Sequence, residues 1–212
     1  MTKIKTFIFN PFQENTFLLY DETKECVIVD AGCNEENEFK QIEDFISDNN
    51  LNLKAIINTH CHIDHIMGNA YFVDKYKVPS IAHKEDMPLI ERSNDMAVAF
   101  GFKIQEPPVP NRFVIEDDII EFGVSKLSVK HVPGHSPGSI ALYCENDQFV
   151  IVGDVLFSGS IGRTDLPGGD YDTLISSIKQ KLFSLDDEVI VYSGHGESTT
   201  VGREKKTNPF FN

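Results

Sequence analysis

Four short apolar runs rich in β-branched residues recur along this chain, and polar or glycine-rich residues follow each of them at once. The runs are residues 26–29, 55–57, 149–152 and 189–192. Runs of this length and composition are typical of buried strands. Because polar residues follow directly, the sequence predicts strands that lead into functional loops.

Two stretches between these runs have apolar residues at helical spacing. The apolar positions are Phe39, Ile42, Phe45 and Ile46 in the first stretch and Leu174, Ile175, Ile178 and Leu182 in the second. Asp170 precedes the second stretch and is a suitable N-cap. Both patterns predict amphipathic helices that cover a sheet, and together with the strands they predict an α/β fold.

The two halves of the chain echo each other. An apolar run ends at Asp30 in the first half and at Asp154 in the second. In each half a helical stretch follows, and then a strand that ends at His60 or His195. Duplication of one unit would explain this pattern. Buried strands contain only a few apolar residue types, however, so a chance resemblance is the alternative.

No linker separates domains. Residues 105–111, with three prolines, are predicted to form an irregular surface connection. Residues 159–170, with four glycines, are predicted to form a loop that reaches a site. A length of 212 residues fits one domain, so residues 1–212 are expected to fold as a single unit.

Charge and composition exclude several classes of partner. With 33 acidic and 19 basic residues, the net charge of -14 repels a phosphate backbone, so no nucleic-acid partner is expected. Neither a signal-like N-terminus nor a membrane-spanning run is present, which predicts a cytoplasmic protein without a membrane partner. The four cysteines form no Cys-x-x-Cys pair, and reduced thiols are expected.

Three histidines and one aspartate lie within six positions after the second apolar run, namely His60, His62, Asp64 and His65. In an extended loop, His60 and His62 point to the same side and can converge on one ion, while Asp64 and His65 continue to a second position. Without a cation, desolvation and mutual repulsion would disfavour the charged forms of such crowded groups. The cluster therefore predicts metal binding, and its spacing permits two metals.

Three further ligand-type residues, His135, Asp154 and His195, follow strands or lie beside glycines. Loops at strand ends are where catalytic groups collect, and glycine lets the backbone approach an ion closely. His83 and His131 have no clustered partners in the sequence and are left out of the predicted site.

Taken together, these residues resemble the signature of the metallo-β-lactamase superfamily, which is His-x-His-x-Asp-His followed by a distant His, Asp and His. Within it the chain is similar to the glyoxalase II group, through residues 59–65, 153–154, 162–165 and 194–196. The resemblance implies a four-layer αββα sandwich with the metals at one edge of the two sheets. It also implies one metal held by His60, His62 and His135, a second held by Asp64, His65 and His195, and Asp154 as the bridge.

The chemistry implied is hydrolysis of a small-molecule acyl thioester. Imidazole and carboxylate ligands suit two divalent ions, with zinc as the default and iron or manganese as alternatives. Such ions lower the pKa of water toward about 7, and Asp64 is the predicted catalytic residue, orienting this nucleophile or taking its proton. No Gly-x-Ser-x-Gly elbow is present, and Cys61 is predicted to be a buried packing residue, so no covalent acyl-enzyme is expected.

Other functions remain open at this stage. A persulfide dioxygenase has the same implied fold but uses one iron, and the presence of Asp64, His65 and His195 favours the binuclear hydrolase. A β-lactamase shares the metal motif, and a metal-stabilised binding module without activity is an alternative of another class. Because the chain ends soon after His195, it resembles short single-domain glyoxalase II relatives, which leaves the natural substrate unassigned. The oligomeric state is not indicated.

Two more residues have two interpretations each. Asp30 either accepts a hydrogen bond from a ligand histidine or simply forms a turn. Arg163 either binds a substrate carboxylate or forms a surface ion pair with Asp165 or Asp170.

Overall fold

A computed structural model of the protein describes residues 1–211. Its first sheet contains β1 (Lys3–Phe9), β2 (Glu14–Tyr20), β3 (Glu25–Val29), β4 (Asn52–Ile57), β5 (Ser80–Ala82) and β6 (Arg112–Phe113). The strands lie in chain order. Those from β1 to β3 are antiparallel to their neighbours, whereas β3 to β6 run parallel.

The second sheet also has six strands. They are β7 (Ile119–Phe122), β8 (Ser125–His131), β9 (Ile140–Cys144), β10 (Phe149–Gly153), β13 (Ile190–Ser193) and β14 (Thr199–Thr200). Their order is β14-β13-β10-β9-β8-β7, and only the β10–β13 pair is parallel within this described sheet. Strands β11 (Leu156–Phe157) and β12 (Ser160–Ile161) form a separate hairpin.

The helices lie between and after the strands. They are α1 (Glu36–Asp48), α2 (Ile63–Ile66), α3 (Asn69–Tyr76), α4 (Met87–Glu91), α5 (Ser93–Ala99), α6 (Tyr171–Ser177) and α7 (Val201–Thr207). A 3-10 turn, Lys84–Asp86, precedes α4, and a π-helical turn, Ile178–Leu182, extends α6. Asp170 caps α6 as predicted, because its carboxylate accepts a hydrogen bond of 2.8 Å from the Thr173 amide.

Alternating side chains explain the layers. Phe17 and Leu19 of β2 point between the two sheets, where they pack in one buried cluster with Leu142 and Ile151 of the second sheet. Leu18 lies between them in sequence and points outward, into a cluster that includes residues of α1 and α3. A third cluster joins the outer face of the second sheet to α6 and α7. The order helix, sheet, sheet, helix confirms the expected αββα sandwich.

The structure extends or corrects several predicted elements. All four apolar runs are strands, and both amphipathic stretches are helices. Residues 159–170 are not wholly irregular, because Ser160–Ile161 pairs with Leu156–Phe157. The extended loop predicted after His62 is also wrong in part, since Ile63–Ile66 forms one helical turn. Within residues 1–211, no helix has the length and apolar character needed to traverse a bilayer.

Candidate metal centre

The ends of two parallel strand pairs bring four polar residues to one edge of the sandwich. Asp30 directly follows β3 and His60 follows β4, which are parallel neighbours in the first sheet. Asp154 directly follows β10 and His195 follows β13, the parallel neighbours of the second sheet. Because the carboxyl ends of parallel strands lie at the same edge, each half of the fold delivers one aspartate and one histidine to that edge.

Three imidazoles form the first group of potential ligands, His60, His62 and His135. The His62 Nδ1 atom lies 2.8 Å from His135 Nε2, which in turn lies 3.3 Å from His60 Nε2. The rings meet edge to face, with centroids 4.6–4.8 Å apart. Their nitrogen atoms therefore converge on one point, as the resemblance implies.

Asp64, His65 and His195 form the second group. The Asp64 Oδ2 atom lies 3.3 Å from His195 Nε2 and 3.8 Å from His65 Nε2. The helical turn α2 carries both Asp64 and His65.

Asp154 lies between the two groups. Its Oδ1 atom is 3.4 Å from His65 Nε2, and its Oδ2 atom is 3.5 Å from His195 Nε2 and 3.8 Å from His135 Nε2. One carboxylate thus reaches nitrogen atoms of both groups, which is the position required of a bridge. The structure brings together all seven residues predicted as ligands.

Two buried atoms show that these residues fit divalent metal ions. The His65 Nε2 and Asp154 Oδ1 atoms are buried and have no hydrogen-bond partner among the described residues. Buried polar atoms without a partner are costly, and a cation coordinated at this point would satisfy both. Five imidazoles and two carboxylates are also the nitrogen and oxygen donors that zinc, iron(II) and manganese accept.

Two imidazoles of the first group are held in the form that can bind a metal. Burial, assisted by the neighbouring imidazoles of His65 and His135, keeps the pKa of His60 well below its usual range. Burial and His135 lower the pKa of His62 to about 3. Both imidazoles are therefore neutral at physiological pH, which leaves a lone pair for coordination.

The second group has the opposite charge balance. Burial opposes a charge on His65, but the carboxylates of Asp64 and Asp154 outweigh it and raise the pKa of His65 well above its usual range. Burial also opposes a charge on His195, yet hydrogen bonds to the same two carboxylates raise its pKa to about 10. A metal ion that binds this group would therefore displace protons from its imidazoles.

Hydrogen bonds behind the ligands fix which imidazole nitrogen faces the centre. His135 donates from Nδ1 to the Arg163 carbonyl at 2.8 Å, and His195 donates from Nδ1 to the Phe12 carbonyl at 3.0 Å. Because a carbonyl only accepts, each Nδ1 carries the hydrogen and each Nε2 faces the ligand groups.

Asp30 fixes His65 in the same way. The His65 Nδ1 atom lies 3.1 Å from Asp30 Oδ2, and the Thr59 amide and hydroxyl donate to the same carboxylate at 2.7 and 2.5 Å. Asp30 is also in a left-handed conformation, with φ of 54°. Both interpretations of Asp30 are therefore correct, since it forms the turn and also holds a predicted ligand.

Glycine is required where the chain passes the bridge. A Cβ atom on Gly194 would lie 2.2 Å from Asp154 Oδ1 and 2.7 Å from His65 Cε1. No side chain fits there without displacing one of these two groups. The Gly194–His195 segment can approach Asp154 only because position 194 has no side chain.

Asp86 is a structural residue of this centre that sequence analysis missed. Its buried carboxylate accepts hydrogen bonds from the Cys61 amide at 2.9 Å, the Ser136 hydroxyl at 2.9 Å and the Gly138 amide at 2.6 Å. Cys61 lies between two predicted ligands, and Ser136 follows His135. Asp86 therefore ties the two loops that carry the first group, although nothing in the sequence around it marks this role.

Glu14 was also missed. Its side chain is fully buried, Oε1 lies 3.9 Å from His65 Nδ1, and Oε2 accepts a hydrogen bond of 2.8 Å from the Thr16 hydroxyl. Burial raises the pKa of Glu14 well above its usual range. A buried carboxyl therefore lies beside His65, and burial disfavours its charged form.

Residues outside the centre complete the comparison with the sequence. His83 and His131 are not isolated, because their rings stack with centroids 4.2 Å apart. Cys61 is buried among apolar residues, as predicted. Arg163 forms a two-bond ion pair with Asp165, with both distances 2.7 Å, so the surface ion pair is the correct interpretation of its side chain.

Comparison with known proteins agrees with this geometry. The model of the metallo-beta-lactamase superfamily matches residues 9–195. Hydroxyacylglutathione hydrolase GloC of Haemophilus influenzae is 39% identical over 204 residues, which cover 95% of this chain and 94% of that protein.

Two crystal structures are similar over nearly their whole lengths. The BLEG-1 B3 metallo-beta-lactamase superposes with a TM-score of 0.90 at 34% identity, covering 99% of this chain and 100% of that one. TTHA1623 in a di-iron-bound form superposes with a TM-score of 0.87 at 39% identity, covering 97% of this chain and 99% of that one.

Proposed function

The chain belongs to the metallo-β-lactamase superfamily, and from this premise we propose that it is a binuclear metal-dependent hydrolase that cleaves acyl thioesters. The observation that carries the binuclear assignment is the position of Asp154, whose carboxylate reaches nitrogen atoms of both ligand groups. The thioester assignment is supported by the similarity to a hydroxyacylglutathione hydrolase over almost the whole chain.

Zinc is the first metal proposed, with iron as the alternative. The mixed imidazole and carboxylate donors suit either ion. The crystal structure of TTHA1623 is in a di-iron-bound form, which supports two ions in a centre of this kind. Iron(II) is therefore tested alongside zinc.

Metal ions held by these seven residues would supply Lewis acidity, which would lower the pKa of water toward about 7 and stabilise negative charge on a carbonyl oxygen. The protein supplies position. Backbone carbonyls of Phe12 and Arg163 orient His195 and His135, so two imidazoles of different groups are fixed before substrate binds. Asp86 keeps the two loops of the first group together.

Asp64 is the proposed catalytic residue. Burial opposes its ionisation, but His65 and His195 outweigh this and lower the pKa of Asp64. As a carboxylate at neutral pH, it can accept a hydrogen bond from the attacking water and orient it. Water then gives its oxygen to the acyl carbon, the carbon–sulfur bond breaks with the electron pair leaving on sulfur, and a proton passes to the thiolate.

A panel of substrates tests this function. Protein reloaded with zinc or with iron(II) is offered S-D-lactoylglutathione and other acyl thioesters, and thiol release is measured. We expect release in the loaded protein and none after chelation. Failure to cleave any thioester with both ions bound would contradict the proposal and favour an inactive binding module.

Two alternative activities have distinct signatures. The similarity to the BLEG-1 β-lactamase favours β-lactam hydrolysis as the second candidate, and nitrocefin turnover that exceeds thioester turnover would support it. A persulfide dioxygenase would instead contain one iron per chain and consume oxygen with glutathione persulfide.

A further inference from the structure

The turn between β1 and β2 consists of residues 10–13, and hydrogen bonds within it fix its shape. Asn10 is in a left-handed conformation, with φ of 51°. Its side-chain Oδ1 atom accepts a hydrogen bond of 2.9 Å from the Phe12 amide. Asparagine suits this position, because it tolerates the left-handed conformation and can bond its own backbone two residues further on.

The same side chain holds the backbone at Asp64, a ligand of the second group. The Asn10 side-chain amide donates to the Asp64 carbonyl at 3.1 Å and to the Gly32 carbonyl at 3.0 Å. Asp64 lies on α2, which has only four residues, and a helix this short has little stability of its own. The turn therefore supports the segment that directs Asp64 toward the centre.

The start of β2 holds the segment that carries His195. The Asn15 backbone amide donates to the Gly194 carbonyl at 2.7 Å. The Asn15 side-chain amide donates to the carbonyls of Ser193 and Gly196, each at 2.9 Å. Asn15 is buried, and its bonds enclose His195 on both sides in the sequence. A strand of the first sheet thus fixes the loop that follows β13 of the second sheet.

The β1–β2 hairpin therefore connects two ligands that come from different halves of the fold. Asp64 follows β4 of the first sheet, whereas His195 follows β13 of the second sheet. Their Oδ2 and Nε2 atoms lie 3.3 Å apart. Asn10 holds the first of these ligands and Asn15 the segment of the second, and the Phe12 carbonyl between them accepts a hydrogen bond from His195.

Other ligands have separate supports. Asp86 joins the loops of the first group, and no hydrogen bond joins residues 10–15 to a ligand of that group within the described range 1–211. His65 is held by Asp30, and the Asn58 side-chain amide donates to its carbonyl at 3.1 Å. The hairpin thus acts on the relative position of Asp64 and His195.

Resting on the proposed function of the binuclear centre, we propose that Asn10 and Asn15 are positioning residues for the second metal ion. Their amides fix Asp64 relative to His195 and so set the affinity for the ion that these two ligands share. Neither asparagine contacts the reacting atoms, because the side-chain amide of each donates to backbone carbonyls.

Zinc titration of the metal-free protein against a chromophoric chelator measures the two affinities separately. Asn10→Ala and Asn15→Ala should each lower the affinity for one ion about 10–100-fold, which is the usual effect of removing a residue that orients ligands. The affinity for the other ion should stay within about twofold. Asn49→Ala is the matched control, because its amide also donates to a backbone carbonyl, that of Phe45, but at the end of α1. It should change neither affinity.

Variants that lack one ligand identify which ion is weakened. In His195→Ala, the ion that remains should keep its affinity when Asn15→Ala is added. In His62→Ala, the same addition should still weaken the remaining ion. A general loss of stability would lower the affinity in both backgrounds. Circular dichroism checks that each metal-free variant is folded, and Asn10→Ala provides the test if Asn15→Ala does not fold.

Equal weakening of both ions, no weakening of either, or a wild type that binds a single ion would overturn this inference. Thiol release from acyl thioesters tests the proposed function separately. If the two affinities separate as expected but no thioester is cleaved, the thioesterase proposal is wrong and the positioning roles stand. If thioesters are cleaved but the affinities do not separate, the positioning roles are wrong and the thioesterase proposal stands.

Discussion

Asp86→Ala removes the carboxylate that joins the two loops of the first ligand group. In the wild type, Asp86 accepts hydrogen bonds from Cys61, Ser136 and Gly138. The Ser136 hydroxyl keeps its contact of 2.8 Å with Ser139, so two buried amides, those of Cys61 and Gly138, lose their acceptor. Each such loss costs about 1–3 kcal/mol, and the free energy of unfolding should therefore fall by about 2–6 kcal/mol.

Urea unfolding of the metal-free protein measures this change, and metal titration measures its effect on the centre. We expect the affinity for the ion held by His60, His62 and His135 to fall about 10–100-fold, because the loops that carry these ligands lose their shared support. Asp86→Asn keeps one acceptor oxygen and should lie between wild type and Asp86→Ala.

Asp44→Ala is the control for loss of a carboxylate. Asp44 forms an exposed ion pair with Lys40, and its removal should cost less than about 1 kcal/mol. Loss of less than about 1 kcal/mol in Asp86→Ala, with metal affinity unchanged, would refute the view that Asp86 ties the loops together.

Three further predictions concern a ligand and two residues next to ligands. Gly194→Ala should lower both metal content and turnover more than tenfold, because its Cβ atom would lie 2.2 Å from Asp154 Oδ1; elemental analysis and thiol release measure these. Metal binding at pH 7.5 should release at least one proton, since the pKa of His195 in the metal-free protein is about 10, and calorimetry in buffers of different ionisation enthalpy counts it. His195 thus stabilises the metal-free fold fully below about pH 6.5, and this contribution disappears as pH rises through about 10. Cys61→Ala should keep turnover within about twofold, and an abolished rate with metal content unchanged would contradict its packing role.

The fold was predictable where an apolar run or a repeating pattern marks an element. Strand β3 is long enough to appear as an apolar run, and helix α1 is long enough to show a helical period. Helix α2 has four residues and strand β12 has two, which is too short for either pattern to appear. The π-helical turn after α6 shares its apolar spacing with an ordinary helix, so the sequence predicted its buried face but not its hydrogen bonds.

The ligands were predictable because they combine a dense local motif with an ordered set of distant residues. The supporting residues were not, because their contacts join distant parts of the chain. Asp86 lies 25 positions from Cys61 and 52 from Gly138, and no local pattern records either contact. The role of Arg163 at the centre was also not predictable from its residue type, because its backbone carbonyl orients His135 while its side chain forms an ion pair with Asp165. Any residue at position 163 could supply that carbonyl.

The number of ions at which turnover saturates is the most direct test of a binuclear centre bridged by Asp154. Metal-free protein is titrated with zinc, and in a parallel series with iron(II), while thioester hydrolysis is followed at each addition. The position of Asp154 between the two ligand groups predicts that activity rises until two ions are bound per chain. Full activity at one ion per chain, with no further change when a second binds, would contradict the account.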